Sequence, residues 1–275
     1  MWTITGFADE VSDDFAVQLE TMDTLGVRFI ELRSAWGVRV LDLSDVQLCQ
    51  AKSMLDDAGI GVSALGTDLG KIGIDEDFGP HLERARRAID VAWYLETADL
   101  RGFSFFMPPG ADPDQYRGAV VDRLGQLVEL AGQADIRYLH ENEKQIFGDS
   151  PERCAELSEH FDGSSFGLIL DPANYVQCGF RPFGQAYPLV GGATVYVHVK
   201  DAHLADGQVC PPGQGDAELP ELIEALVADD YDGFFSIEPH LGEHDAFGGR
   251  SGPDLWQLAH RSFVELLDQA GLTYA

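Results

Sequence analysis

The sequence has few cysteines and few basic residues, and each scarcity excludes a class of protein. Its four cysteines, Cys49, Cys154, Cys178 and Cys210, are scattered and no two lie at CxxC spacing. This spacing excludes a zinc ribbon and a thioredoxin-type motif, and it is typical of a reducing compartment. Lys and Arg total 18 against 47 Asp and Glu, which gives a formal charge of -29. Such a surface repels phosphate backbones, so we expect no nucleic-acid partner.

Long apolar segments are also missing. No run of 18 apolar residues occurs, and the N-terminal stretch MWTITGFADEV lacks the basic and long apolar regions of a signal peptide. We therefore expect no membrane span and a cytoplasmic location. The length of 275 residues and the hydrophobic content of 45% suit one large globular domain over residues 1–275.

What the sequence does contain is a repeated alternation of short apolar runs and amphipathic stretches. The second amphipathic stretch begins at Ser44, a plausible N-cap, and ends before Gly59, which suits the position after a helix. Eight strand–helix units predict an α/β fold, a single-domain (β/α)8 TIM barrel. A doubly wound open sheet is the alternative, but it usually has a glycine-rich turn after its first strand, and TGFADEV is not one. The eight predicted strands are Thr3–Phe7, Val27–Leu32, Ile60–Leu65, Leu100–Phe106, Ile136–Glu141, Phe166–Asp171, Val195–Lys200 and Gly233–Glu238.

Acidic residues and a histidine stand at or near the ends of the last four predicted strands. In a TIM barrel the carboxyl ends of the strands form the active site. Each residue alone has an ordinary explanation, since an Asp before Pro172 could cap a turn and a lone His could belong to the core. Together, four converging acceptors need a cation, and three carboxylates with one imidazole favour Mn²⁺, with Mg²⁺, Co²⁺ or Zn²⁺ as alternatives. The four residues are Glu141, Asp171, His198 and Glu238.

Further polar residues are candidates for contacts with the substrate. Three of them belong to the second predicted strand or the loop after it, and another directly precedes Glu141. Lys200 lies two residues beyond His198, and strand alternation places both on one face. One candidate lies in the turn-rich loop PPGQGD. The candidates are Glu31, Arg33, Trp36, His140, Lys200 and Gln214.

Six stretches occur together in an order that resembles a known family. They are GFADE, FIELRSAWG, LHENEKQIFGD, LILDPANYVQCG, VYVHVKDA and FFSIEPHL. They resemble the sugar phosphate isomerase/epimerase family of xylose-isomerase-like TIM barrels. The resemblance implies a metal held by the four strand-end residues, and it places Glu141 and Glu238 where epimerase members exchange protons with substrate. The family's epimerases carry a substrate-contacting His after strand six, and this sequence offers Asn174 there.

These observations predict a divalent-metal-dependent sugar isomerase or epimerase. The ion would stabilise an enediolate next to a ketone, with Glu141 and Glu238 as acid and base. Loss of a substituent from the same enolate would instead give a lyase, either a dehydratase or a 3-oxo-glycoside eliminase. A noncatalytic sugar-binding or partner subunit is a third alternative. The expected partner is a small sugar or polyol ketone, and the resemblance is compatible with a homo-oligomer.

Overall fold

Eight parallel strands form the centre of the protein in the computed structural model, which describes residues 2–245 and 248–275. The sheet order is β1-β8-β7-β6-β5-β4-β3-β2, and β1 and β2 lie side by side at its two ends, so the barrel is nearly closed. All eight predicted strands are present, and the (β/α)8 prediction is confirmed. The strands are β1 Thr3–Gly6, β2 Phe29–Leu32, β3 Gly61–Leu69, β4 Asp99–Gly102, β5 Arg137–Glu141, β6 Phe166–Leu170, β7 Thr194–Val199 and β8 Phe234–Ile237.

Helices follow each strand and cover the outside of the barrel. Helix α2, Asp45–Ala58, follows the predicted cap, where Ser44 and Gln47 exchange hydrogen bonds between side chain and backbone. The residue after the helix is Gly59, whose φ of 64° is left-handed. The α-helices in the described ranges are α1 Phe15–Thr24, α2 Asp45–Ala58, α3 Gly79–Tyr94, α4 Arg117–Gly132, α5 Pro151–His160, α6 Pro172–Gln177, α7 Tyr187–Val190, α8 Leu219–Ala228 and α9 Gly252–Gln269.

The barrel interior contains polar as well as apolar layers. Contacts between strands that are not neighbours in the sheet must cross the interior. One such contact is the 2.9 Å hydrogen bond between Ser63 Oγ on β3 and Tyr196 OH on β7. Another joins Glu31 Oε2 on β2 to His198 Nε2 on β7 at 3.1 Å. Because buried polar groups need partners, these crossings fix the side chains of the interior in defined orientations.

Short hairpins extend the loops at the carboxyl ends of three strands. Ser34–Ala35 pairs with Val38–Arg39 after β2, and Asp201–Ala202 pairs with Val209–Cys210 after β7. After β8, His244–Asp245 pairs with Gly248–Gly249. These loops lie above the strand ends that carry the predicted site.

Within the described ranges, no helix is both long enough and apolar enough to cross a membrane.

Candidate metal centre

Four side chains from consecutive strands meet at the carboxyl end of the barrel. Glu141 is the last residue of β5, Asp171 directly follows β6, His198 is the penultimate residue of β7 and Glu238 directly follows β8. His198 Nδ1 lies 3.4 Å from Glu141 Oε1, 3.9 Å from Asp171 Oδ2 and 3.7 Å from Glu238 Oε2. The structure thus brings the four predicted ligands together in one buried cluster.

The spacing of these donor atoms suits a single divalent ion. Such ions bind N and O donors at about 2.0–2.3 Å, which separates neighbouring donors by roughly 3–3.5 Å. The observed separations from His198 Nδ1 are close to this range. In the described part of the chain, this buried nitrogen finds no hydrogen-bond partner of normal geometry. Because a buried polar atom without a partner is destabilising, its orientation toward three carboxylates suits a ligand. This cluster of acidic residues and one histidine could bind a metal.

Two asparagines hold the carboxylates on β5 and β6. Asn142 exchanges two hydrogen bonds with the backbone of Asp171, at 2.8 and 2.9 Å. Asp171 Oδ1 accepts a 2.8 Å bond from the amide of Asn174 and so caps α6, while Oδ2 faces the cluster. Asn174 Nδ2 in turn donates to Glu141 Oε1 at 3.1 Å. Asp171 therefore serves as a helix cap and as a candidate ligand, one role for each oxygen.

Buried basic side chains offset the charge of these carboxylates. Lys200 Nζ lies 2.6 Å from Asp171 Oδ2 and 2.9 Å from Glu238 Oε2. Arg101 Nη1 lies 3.1 Å from Glu141 Oε2 and 3.7 Å from Glu238 Oε1. Since an isolated buried carboxylate is strongly disfavoured, these two cations let several acidic groups share one apolar interior.

The same contacts set the protonation states. Burial acts to raise the pKa of Glu141, but the charges of His198 and Arg101 outweigh it and hold the pKa well below its ordinary value. For Glu238, burial is likewise outweighed, first by Lys200, and the pKa lies well below the ordinary range. Both glutamates are therefore ionised at neutral pH.

The pKa values of the histidine and the aspartate of the cluster are raised rather than lowered. Burial acts to lower the pKa of His198, but Glu31 and Glu141 raise it to about 10. Burial raises the pKa of Asp171 to about 6, even though Lys200 acts to lower it. Because a metal ligand must be deprotonated, an ion entering the cluster would displace a proton from His198.

The structure brings some of the predicted substrate-contacting residues to the cluster. Glu31 bonds to the second ring nitrogen of His198, and Ser236 Oγ donates to the same glutamate oxygen at 2.7 Å. Arg33 Nη1 donates to Glu238 Oε1 at 3.3 Å. The predicted residues that the structure places in or against the cluster are Glu31, Arg33, Asn174 and Lys200.

For three other predicted residues, the contacts in the described ranges are with other parts of the chain. His140 neighbours Glu141 in sequence, so strand alternation turns it to the opposite face, where Nε2 bonds to Ser104 Oγ at 2.9 Å. Trp36 lies in the hairpin after β2 with its ring centroid 5.3 Å from that of Phe15. Gln214 lies in a loop whose amides at 213, 215 and 217 bond to the carboxylate of Asp201.

Sequence reasoning missed several residues that touch the cluster. Arg101 is the penultimate residue of β4, so the strand-end position could have identified it. Asp9 and Glu10 follow β1 in a short 3₁₀ turn; Asp9 Oδ2 accepts a 2.9 Å bond from Arg33 Nε. His240 Nε2 lies 3.4 Å from both Glu238 Oε1 and Glu10 Oε1. The burial of Asp9 and Glu10 and the contact of His240 with Glu10 and Glu238 could not be predicted from the sequence, because they depend on loops that pack across the barrel.

Comparison with known proteins agrees with this architecture. A model of the family described as xylose isomerase-like TIM barrel matches residues 19–265. An uncharacterized protein of Methanocaldococcus jannaschii is 26% identical over an alignment of 168 residues that covers 57% of this chain. The match spans 56% of that relative's length.

Solved structures with less than 25% identity share the fold over nearly the whole chain. The IOLI protein with a bound zinc atom has a TM-score of 0.78 at 17% identity, covering 97% of this chain and 99% of its own. A D-tagatose 3-epimerase-like protein has a TM-score of 0.77 at 17% identity, covering 98% of both chains. The probable 3-DHS dehydratase AsbF of Bacillus anthracis has a TM-score of 0.74 at 18% identity, covering 96% of this chain and 98% of its own.

The family model spans most of the sequence, and the eight-stranded barrel agrees with it in topology. The chain therefore belongs to the xylose isomerase-like TIM barrel family.

Proposed function

We propose that the protein is a divalent-metal-dependent isomerase or epimerase that acts on a sugar or polyol ketone. The observation that carries the proposal is the approach of Glu141 and Glu238 to one imidazole, that of His198. Strands β5 and β8 are separated by β6 and β7 in the sheet, so the two carboxylates reach this point from different parts of the barrel wall. A substrate carbon held between them would face a carboxylate on either side.

The protonation states of the two glutamates suit proton exchange. A general base must be ionised and within reach of the proton that it removes. Both carboxylates have lowered pKa values because cations outweigh the effect of burial. One could remove a proton beside a ketone. The other, after taking up a proton from solvent, could deliver it to the opposite face of the same carbon or to the adjacent carbon. The first outcome is epimerisation and the second is isomerisation.

The remaining residues would supply the ion and orient the two bases. Glu141, Asp171, His198 and Glu238 would hold a divalent ion, Mn²⁺ being the first candidate, and the bound ion would polarise the substrate carbonyl. Arg101 and Asn174 each bond to one oxygen of Glu141 and so fix its direction. The D-tagatose 3-epimerase-like protein and the zinc-bound IOLI protein, which share the fold, support this assignment.

The test combines metal content, product analysis and deuterium exchange. Purified protein would be supplied with Mn²⁺ and a panel of ketoses, inososes and 3-oxo-glycosides in D₂O, with products identified by NMR. We expect deuterium at the carbon next to the ketone, and we expect a chelator to stop its incorporation. Protein that binds no Mn²⁺, Mg²⁺, Co²⁺ or Zn²⁺ and does not respond to the chelator would favour a noncatalytic barrel.

Variants assign the exchange to the two glutamates. Glu141→Gln and Glu238→Gln should each lower turnover by about 10²–10⁴-fold, because each removes a general acid–base group. Glu224→Gln is the matched control, since Glu224 is exposed on α8 and the same charge is removed. Normal turnover in either barrel variant, with the circular dichroism spectrum unchanged, would refute proton exchange by these residues.

A metal-dependent lyase is the second candidate, and the loop after β6 favours it. In the family's epimerases this loop supplies a histidine to the substrate, whereas here Asn174 is engaged with Glu141 and with the carbonyl of Asn142. A site without that imidazole has one fewer group for stereospecific handling of a ketose. The fold is also shared with a probable dehydratase. An unsaturated or ring-opened product in the NMR assay would select the lyase.

A further inference from the structure

A cavity beside the cluster is lined mainly by basic side chains. Its volume is about 150 Å³. Five of the 18 basic residues of a chain with a formal charge of -29 line it, and among the described lining residues Asp68 is the one that is acidic. Because basic groups are scarce in this protein, their concentration at one cavity calls for a physical reason. The five are Arg33, Arg39, Lys71, Arg84 and Arg101.

The backbone of β3 is shaped to form this cavity. The pairing of β3 with β4 shifts register between Gly66 and Leu69, so Thr67 and Asp68 leave the regular ladder and enter the cavity wall. Bulges of this kind commonly lie next to active sites. A Cβ on Gly66 would lie 2.8 Å from the ring of Phe7 and 3.0 Å from Cβ of Arg33. Glycine there gives Arg33 the room to pack against β3 on its way to Glu238.

The way in which Asp68 is held shows that the cavity wall can bind a carboxylate. Arg84 Nε and Nη2 donate to its two oxygens at 2.8 and 3.1 Å, and Arg39 Nη1 donates at 2.5 Å. This is the two-pronged geometry that guanidinium groups offer to carboxylates and phosphates. Lys71 adds an ammonium group that is one-third exposed and pairs with Glu143 Oε2 at 3.2 Å, so an oxyanion would compete with that carboxylate.

The cavity and the metal cluster share a wall. Arg33 and Arg101 line the cavity, and their guanidinium groups also contact Glu238 and Glu141 at 3.3 and 3.1 Å. The side chain of Arg101 is 6% exposed, and its Nε makes no hydrogen bond to any described residue. A substrate that reacts at the glutamates would therefore have its far end directed toward these basic groups.

We propose that this cavity binds an oxyanion, a carboxylate or a phosphate, at the far end of the substrate, which is therefore an acidic sugar derivative. The identification of that oxyanion as part of the substrate rests on the function proposed above. The binding of an oxyanion to the cavity does not, so it can be measured without turnover.

The first experiment uses calorimetric titration of the full-length, metal-free protein with two probes, inorganic phosphate and acetate. We expect saturable binding of at least one of them, and the tighter of the two identifies the group that the substrate carries. No saturable binding of either probe would overturn the inference. Since no metal and no substrate are present, this result is independent of whether the protein is an isomerase.

Two variants with opposite expected effects separate a binding site from a structural ion-pair network. Lys71→Gln removes a basic group and should weaken binding by about tenfold, the loss typical of one charge-assisted contact. Asp68→Asn removes the acidic group that competes for Arg39 and Arg84, and it should tighten binding by a similar factor. Arg86→Gln is the matched control, because Arg86 lies on the same helix as Arg84 but is exposed and pairs with Glu83.

The outcomes are decisive in both directions. Weaker binding in Lys71→Gln together with tighter binding in Asp68→Asn supports the inference. A change in the same direction in both variants, an unchanged affinity in either, or an effect of Arg86→Gln as large as theirs overturns it. If the protein binds the oxyanion but shows no deuterium exchange with any ketone, the oxyanion site is supported and the proposed reaction is refuted.

Discussion

Replacement of Lys200 by methionine tests whether the cluster is built for a metal ion. Its side chain is 3% exposed, and its ammonium group lies between two carboxylates, 2.6 Å from Asp171 Oδ2 and 2.9 Å from Glu238 Oε2. Burial acts to lower the pKa of Lys200, but these two carboxylates raise it well above its ordinary value. In the metal-free protein this residue therefore supplies positive charge at the place where a divalent ion would supply it.

The expected magnitude follows from the loss of one partner of a buried ion pair. Such a loss typically costs about 3–5 kcal/mol, because the other charges stay buried without compensation. At roughly 2–4 °C per kcal/mol for a domain of this size, the metal-free Lys200→Met protein should unfold about 6–20 °C below the wild type. A metal ion at 100 times its dissociation constant adds about 2.7 kcal/mol to the free energy of unfolding. If the loss of the ammonium group raises the variant's affinity for the ion tenfold, the ion adds about 1.4 kcal/mol more in the variant. The variant should therefore gain more stability from the metal than the wild type does.

The assay is thermal unfolding of both proteins with EDTA and with increasing MnCl₂. Lys52→Met is the control, since Lys52 makes an ion pair with Asp56 at the surface of α2, and such pairs contribute little. An equal response of the wild type and Lys200→Met to the metal would refute the idea that the ammonium group and the ion balance the same carboxylates. Unchanged stability of the metal-free variant would refute the electrostatic argument itself.

Three further predictions concern ligands, acid stability and helix capping. Asp171→Asn and His198→Ala should weaken Mn²⁺ binding, measured by calorimetry, by more than the roughly 10–100-fold typical of changes beyond the ligands; unchanged affinity in both would show that other residues hold the ion. Burial acts to raise the pKa of Asp68, but Arg84 and Arg39 hold this pKa below its ordinary value, so the ionised carboxylate stabilises the fold. That contribution is present above the pKa of about 4 in the unfolded state and is lost as pH falls through the lower pKa of the folded state. Asp68→Asn should therefore make the free energy of unfolding in urea fall less steeply with decreasing pH, and an equally steep fall would contradict this. Ser44→Ala should lower stability by about 1 kcal/mol in thermal unfolding, and no loss would remove the capping box as a contribution.

The barrel and the meeting of the four candidate ligands could be predicted because they depend on local pattern. Eight apolar runs and their spacing specify strands and crossovers, and side chains at the ends of parallel strands meet at one rim. Glu141, Asp171, His198 and Glu238 follow from that rule without any knowledge of loops. The sequence could not decide whether Asp171 caps a helix or is a candidate ligand, since one of its oxygens caps α6 and the other faces the cluster.

The surroundings of the cluster could not be predicted in the same way. Trp36 lies in a hairpin and Gln214 in a loop, and the course of such connections depends on packing between distant segments rather than on periodicity. His140 was placed beside Glu141 by sequence, but alternation along β5 directs it to Ser104. The basic cavity could not be predicted because its five cations come from several segments between residues 33 and 101, which the β3 bulge and the closure of the barrel bring together.

The junction between β6 and α6 leaves no freedom in chain length. The backbone N–H of Asn174 donates to Asp171 Oδ1 and its side chain donates to Glu141 Oε1. The side chain of Asn142, which follows the neighbouring strand, donates to the backbone carbonyl of Asp171. An additional residue inserted between Asp171 and Asn174 would break the first two bonds together and turn a carboxylate away from the centre. This junction therefore has to keep its length for the four candidate ligands to stay together.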